Sequence, residues 1–176
     1  MKSIFFATTL LAFACNAKQR SNDATANNNL SEDTFHYAYT ALYSSNITAP
    51  TNRLNAQKVL TVWKLFESNQ IDAMKPYWAD SVTYHDASGL NFHGPSSQLL
   101  DIARKDISEL DSLRFDLITW QSEHVNDRND DWVRIWARER RYSKNGKADT
   151  VLIQENWQIK NGRIIYFDQY KASLPK

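Results

Sequence analysis

At 176 residues, the chain is sized for one domain with a core of ordinary volume plus a short leader. Its formal net charge of +1 sets up no general field to draw in nucleic acid or an anionic membrane, and a single cysteine excludes an intrachain disulfide and a thiol cluster. Aromatic residues make up 12% of the chain, with six tryptophans, a supply that serves either a packed core or an aromatic-lined cavity.

Residues 1–15 read as a leader. Lys2 precedes the apolar run Ile4 to Ala14, which is too short to span a bilayer and has the character of a signal-peptide core. Ala12-Phe13-Ala14-Cys15 fits two processing schemes: an Ala-x-Ala cleavage site, or a bacterial lipobox in which Cys15 is lipidated. A leader this short favours the lipobox, so the expected location is the envelope of a bacterium as a membrane-anchored lipoprotein, and otherwise the periplasm or the medium. Residues 16–30 are polar, rich in Asn and Ala, and without apolar period, as in a flexible tether. Residues 31–51 form an N-terminal arm in which Phe35, Tyr37, Tyr39, Ala41 and Tyr43 alternate with other residues, a pattern suited to an extended cover over a sheet face.

The folded domain is expected over residues 52–172. Ala56, Val59, Leu60, Trp63 and Phe66 recur at helical spacing after Pro50-Thr51-Asn52, predicting a first helix over about 52–68. Ile71 to Trp78 is a shorter helix limited by Pro76. Strands follow at 81–86 and 90–93, then a third helix from Gly94-Pro95 to about Leu110, with Pro95 in its first turn. Leu113 to His124 is the next strand. Asp131 to Tyr142 and Thr150 to Ile159 are β-prone runs flanking Asn145-Gly146, the dipeptide of a type I′ hairpin. A two-residue loop there pairs Trp136 with Glu155, Arg134 with Trp157 and Arg138 with Ile153. It gathers Trp132, Arg134, Trp136 and Arg138 on one face with Glu155 and Trp157, and leaves Val133, Ile135, Ala137 and Leu152 on the other. Lys160-Asn161-Gly162-Arg163 turns into a last strand over 164–171. The order of helices and strands implies an α+β domain with helices on one face of a curved, mostly antiparallel sheet.

Trp63 to Gly94, with Asn69 to Met74 followed by Tyr77-Trp78-Ala79-Asp80-Ser81-Val82-Thr83-Tyr84-His85-Asp86, resembles the SnoaL-like and ketosteroid isomerase-like branch of the nuclear transport factor 2-like superfamily. Glu155-Asn156-Trp157-Gln158-Ile159 before Asn161-Gly162-Arg163-Ile164 resembles the last hairpin of the same group. The resemblance implies a cone: three helices closing a strongly curved sheet around a pocket. It places Asp86 where the isomerase has its general base and Glu155 where that enzyme has the protonated aspartic acid of its oxyanion hole. It also places Trp136, Arg138 and Phe167 on pocket-lining strands. The position of the isomerase's tyrosine falls near Val62 or Trp63, neither of which is a phenol. Members of the group include isomerases, dehydratases, hydrolases and binding domains without activity, so fold alone does not settle function.

Three functions follow as expectations. The first is binding of a small, partly apolar molecule by Trp63, Tyr77, Tyr84, Trp136, Arg138, Trp157 and Phe167, without catalysis. The second is cofactor-free acid–base chemistry by Asp86 and Glu155. The third is a protein-interaction module. Against catalysis stands the expectation that Arg134 or Arg138 neutralises Glu155 as a structural ion pair. His85, Asp86 and His93 match no compact metal motif, no cofactor is implied, and the basic residues near the hairpin tip alternate faces, so no nucleic-acid partner is expected. The apolar face bearing Val133, Ile135 and Ala137 calls for a cover, either the arm or a second subunit in a homodimer.

Overall fold

The computed structural model describes residues 47–174, which belong to one compact unit. Cys15, the tether and the aromatic stretch Phe35–Tyr43 lie outside the described residues.

Helix α1, Leu54–Glu67, buries Asn55, Ala56, Val59, Val62 and Trp63, the face its apolar period marks out. A 3-10 helix, Ile71–Tyr77, follows and runs through Pro76, burying Ile71 and Met74. Strands β2 (Trp78–His85) and β3 (Asn91–Pro95) form a hairpin. Helix α2 spans Ser96–Ser108. Pro95, expected inside its first turn, instead ends β3 with extended backbone and stands as the helix N-cap. Four long strands complete the domain: β4 (Leu110–Val125), β5 (Asp130–Ser143), β6 (Ala148–Lys160) and β7 (Arg163–Ser173). With β1 (Ile47–Thr48) they make a seven-stranded sheet ordered β1-β4-β5-β6-β7-β2-β3, antiparallel except for the parallel pair β2 and β7. The sheet curves, and bulges within β4 and between β6 and β7 add local twist.

The helices pack on one face of this sheet. Val133, Ile135 and Ala137 on β5 are fully buried beneath them, with Ile153, Trp157 and Ile159 of β6, Ile164 of β7 and Val82 of β2. A polar anchor holds the start of α1 in place. The Asp131 carboxylate accepts the Thr51 amide at 3.1 Å, Asn55 Nδ2 at 2.7 Å and His124 Nδ1 at 2.9 Å, tying the entry of α1 to β4 and β5. Burial raises the pKa of Asp131, but the bonds from Thr51 and His124 outweigh it and hold the group below its usual range.

The β5–β6 register differs by one residue from that of a two-residue turn: Glu155 pairs with Ile135, and Trp136 with Gln154. The physical reason lies at the corner. Gly146 has φ +82° but Asn145 is not in the left-handed region. Asn145 Oδ1 instead accepts the Lys147 amide at 3.0 Å, while Gly146 N–H donates to the Ser143 carbonyl at 2.9 Å. Lys144, Asn145 and Gly146 thus make a three-residue loop closed by Ser143 and Lys147. A slip of one residue transfers every side chain of β5 to the other face. Val133, Ile135 and Ala137 therefore belong to the core and not to an outer apolar face, and the reason for expecting a cover or a homodimer there falls away.

Candidate functional site

Between α1, α2 and the inner face of the sheet lies a cavity of about 230 Å³. Trp63 on α1 and Tyr84, Trp157 and Phe167 on the strands line it, as the sequence suggested. Tyr84, Phe167 and Trp157 stand side by side on β2, β7 and β6. Their rings stack, with centroids 4.1 Å and 4.5 Å apart. Trp78, Phe66, Phe115, Leu99 and Met74 supply further apolar wall.

Three expected residues are not in this wall. Tyr77 packs half-buried at the end of the 3-10 helix, against the core but away from the cavity. Trp136 and Arg138 alternate with Ile135 and Ala137 and so occupy the opposite face of the sheet, a direct result of the shifted register. Arg134 lies on that face too, donating to Glu123 Oε2 at 2.7 Å. Neither arginine neutralises Glu155. His85 and His93 also occupy the outer face, near Tyr166 and Thr83, whereas Asp86 lines the cavity, so these three do not converge.

Glu155 forms part of the cavity wall and is 4% exposed. Two indoles, Trp63 Nε1 at 2.6 Å and Trp157 Nε1 at 3.0 Å, donate to its Oε2, and Gln169 Nε2 donates to Oε1 at 2.7 Å. All three donors are neutral. Burial pushes the pKa of Glu155 up to about 7; the bonds from Gln169, Trp63 and Trp157 oppose that rise and the charge of Glu139 adds to it. Glu155 is therefore a group that gains or loses a proton near neutrality inside an aromatic cavity. Trp63, at the position where the resemblance expected a phenol, does supply a donor N–H, directed at this carboxylate.

Asp86 sits at the β2–β3 turn. Its Oδ1 accepts the amides of Ser88 at 2.8 Å and Leu90 at 3.0 Å and the Ser88 hydroxyl at 2.6 Å, an Asx-type turn that shapes the hairpin. Partial burial raises its pKa, but Ser88, Leu90 and the charge of Lys171 together hold it below the usual carboxylate range. Burial and the carboxylates of Asp86 and Glu155 push the Tyr84 phenol far up, which keeps it protonated.

Four more charged groups, missed by the sequence reading, line the cavity. Asp106 on α2 pairs with Arg141 on β5; Glu139, two residues back on the same strand, faces Lys171 Nζ at 3.3 Å and Arg141 Nε at 3.6 Å. The correct register would have revealed Glu139 and Arg141, since both share the parity of Ile135. Gln169 was out of reach of sequence, because the bulge between β6 and β7 is what brings it opposite Glu155.

No protein-family model and no curated protein sequence matches the chain. Solved structures do. An NTF2-like protein of unknown function from Burkholderia pseudomallei superposes with a TM-score of 0.58 at 16% identity, over 69% of this chain and 92% of that one. The domain has the nuclear transport factor 2-like fold. Other structures with this fold include an epoxide hydrolase from M. tuberculosis related to LEH, with a TM-score of 0.59 at 10% identity over 70% of this chain and 86% of that one. A protein with a ketosteroid isomerase-like fold from Catenulispora acidiphila, in complex with trimethylamine, gives 0.53 at 18% identity over 72% and 88%. At these identities the NTF2-like likeness establishes architecture, and the chemistry has to be argued from the residues of this cavity.

Proposed function

We propose that the domain binds a small, partly apolar molecule in this cavity, with Glu155 as its polar anchor. The observation that carries the reading is Glu155 itself: a carboxylate in an aromatic wall, held by three neutral N–H groups and, among the described residues, paired with no cation. A purely structural carboxylate so deeply buried would be expected to face a cation. A hydrophobic cavity with a few convergent polar groups is the general form of a small-molecule site. The test is a titration with 4-tert-butylphenol, an apolar body with one hydroxyl for Glu155 to meet, followed by calorimetry or by amide shifts. Binding in the wild type, lost when Ala103→Phe fills the cavity from α2, supports the reading; no saturable binding, or binding untouched by that substitution, overturns it.

A second reading, cofactor-free acid–base catalysis, is favoured by one observation. Asp86 and Glu155 line the same cavity with proton affinities moved in opposite directions, so one carboxylate is ready to accept a proton where the other can donate. Under it, Asp86→Asn abolishes turnover while leaving ligand affinity nearly unchanged.

The leader adds a proposal of location: lipidation at Cys15 anchors the domain to a bacterial envelope membrane. Cys15→Ser would then move a folded domain into the soluble fraction, and unchanged partitioning would refute the anchor.

A further inference from the structure

The acids of the cavity wall already have partners. Asp106 is paired with Arg141, Glu139 with Lys171 at 3.3 Å, Asp86 with donors of its own turn, and Glu155 with three N–H groups. What the wall lacks is an acceptor. Among the described residues, the buried polar side-chain atoms of this wall without a hydrogen-bond partner are both donors, Trp78 Nε1 and Arg141 Nε. Arg141 Nε still lies 3.6 Å from Glu139 Oε1, within reach of its charge. Trp78 Nε1 has no acceptor within hydrogen-bond distance, on a residue only 4% exposed. Trp78 opens β2, and its ring centroid stands 5.6 Å from those of both Trp157 and Phe167, so the indole belongs to the aromatic wall. Trp157 in turn donates to Glu155, which leaves one indole between the free donor and the buried carboxylate. A buried N–H without an acceptor costs stability, and an occupant of the cavity that supplies one recovers that cost.

We propose that Trp78 is a specificity-determining residue of the cavity, its indole N–H donating to a neutral carbonyl or ether oxygen on the ligand. The inference rests on the ligand-binding reading of the cavity and adds the polar group that the ligand must carry besides whatever meets Glu155. The oxygen is uncharged because the indole is neutral and the charged groups of the wall are already matched, so an anion would find no free cation beside Trp78. Discrimination follows from the same burial. A molecule of equal shape with a methyl group in place of the oxygen leaves the N–H unpaired in an apolar wall, and a site built around a buried donor rejects the analogue that cannot accept from it.

The test compares two probes, 4-hydroxyacetophenone and 4-isopropylphenol, which share ring, hydroxyl and size and differ by a carbonyl oxygen in place of a methyl group. Both are titrated by calorimetry into the wild type and into Trp78→Phe, which keeps an aromatic ring and removes the N–H. The ratio of the two affinities is read, because the space that phenylalanine leaves affects both probes alike. Trp78→Phe is expected to shift that ratio against the ketone by about fivefold. A second measurement needs no substitution and stands if Trp78→Phe does not fold. In the wild type, the Trp78 indole proton resonance, assigned through its contacts to Trp157 and Phe167, should move further downfield with the ketone than with 4-isopropylphenol. An unchanged ratio, or an indole signal that responds equally to both probes, overturns the role of Trp78 and leaves the cavity a ligand site. Binding of neither probe overturns that role and the ligand-binding reading together.

Discussion

Glu155 and Asp86 carry the same functional group, line the same cavity and accept the same number of hydrogen bonds from uncharged donors, yet their proton affinities move apart. Glu155 accepts three N–H bonds at 2.6–3.0 Å and its pKa still rises to about 7. Asp86 accepts three bonds at 2.6–3.0 Å and its pKa falls. Hydrogen bonding does not separate the two; burial does. Neutral donors outweigh the cost of partial desolvation at the hairpin turn, with help from Lys171, but cannot outweigh complete desolvation beneath α1. The consequence is an opposite dependence on pH. The folded pKa of Glu155 lies above its ordinary 4.5, so its contribution to stability is complete below that value and is lost as pH rises through about 7. The folded pKa of Asp86 lies below its ordinary 3.8, so its contribution is present above that value and is lost on acidification.

Substitutions sharpen the contrast. The largest effect is expected at Glu155→Leu, which leaves two indole N–H groups and the Gln169 amide buried without an acceptor and should cost on the order of 3 kcal/mol or more in urea unfolding. Asp86→Ala removes as many bonds, but its donors lie in an exposed turn where water replaces the carboxylate, so a loss of about 1 kcal/mol is expected. Equal losses at the two sites would show that burial is not the distinguishing factor. The smallest effect belongs to Asp86→Asn, which keeps the Oδ1 acceptor of the turn and should remain within about 0.5 kcal/mol of the wild type. A larger loss would mean that the charge of Asp86, rather than its geometry, holds the β2–β3 corner.

The NTF2-like architecture was readable because each level of the sequence agreed with the next: helical period in α1, turn residues at the corners, and long β-prone runs at the end of the chain. The site was less readable because it depends on strand register, and register turned on two chemically identical corners. Asn161-Gly162 is the two-residue turn its sequence suggests, with φ +51° and +75° and Lys160 paired to Arg163. Asn145-Gly146 is not, because the Asn145 side chain caps the Lys147 amide and lengthens the loop by one residue. A competing signal was present in the sequence. The slip that puts Arg134 and Arg138 beside Glu155 also turns Val133, Ile135 and Ala137 toward solvent, and hydrophobic matching of those residues with Ile153 and Trp157 favours the observed pairing. The bulge that sets Gln169 against Glu155 and the anchor at Asp131 have no comparable mark, since both arise from contacts between residues distant in the chain.

The register decides the chemistry of Glu155, and one comparison tests it directly: unfolding free energy of the wild type and Glu155→Gln measured from pH 5 to pH 8. Glutamine can accept both indole N–H bonds through its carbonyl, and the Gln169 amide can turn over to accept from its NH2 group. If Glu155 is held by neutral donors as described, the two proteins differ little at pH 5. The difference then shifts in favour of Glu155→Gln by about 2 kcal/mol at pH 8, as the wild-type carboxylate is forced to ionise in the cavity wall. A loss of about 3 kcal/mol in Glu155→Gln that does not change with pH would instead mark a buried ion pair and would contradict the account.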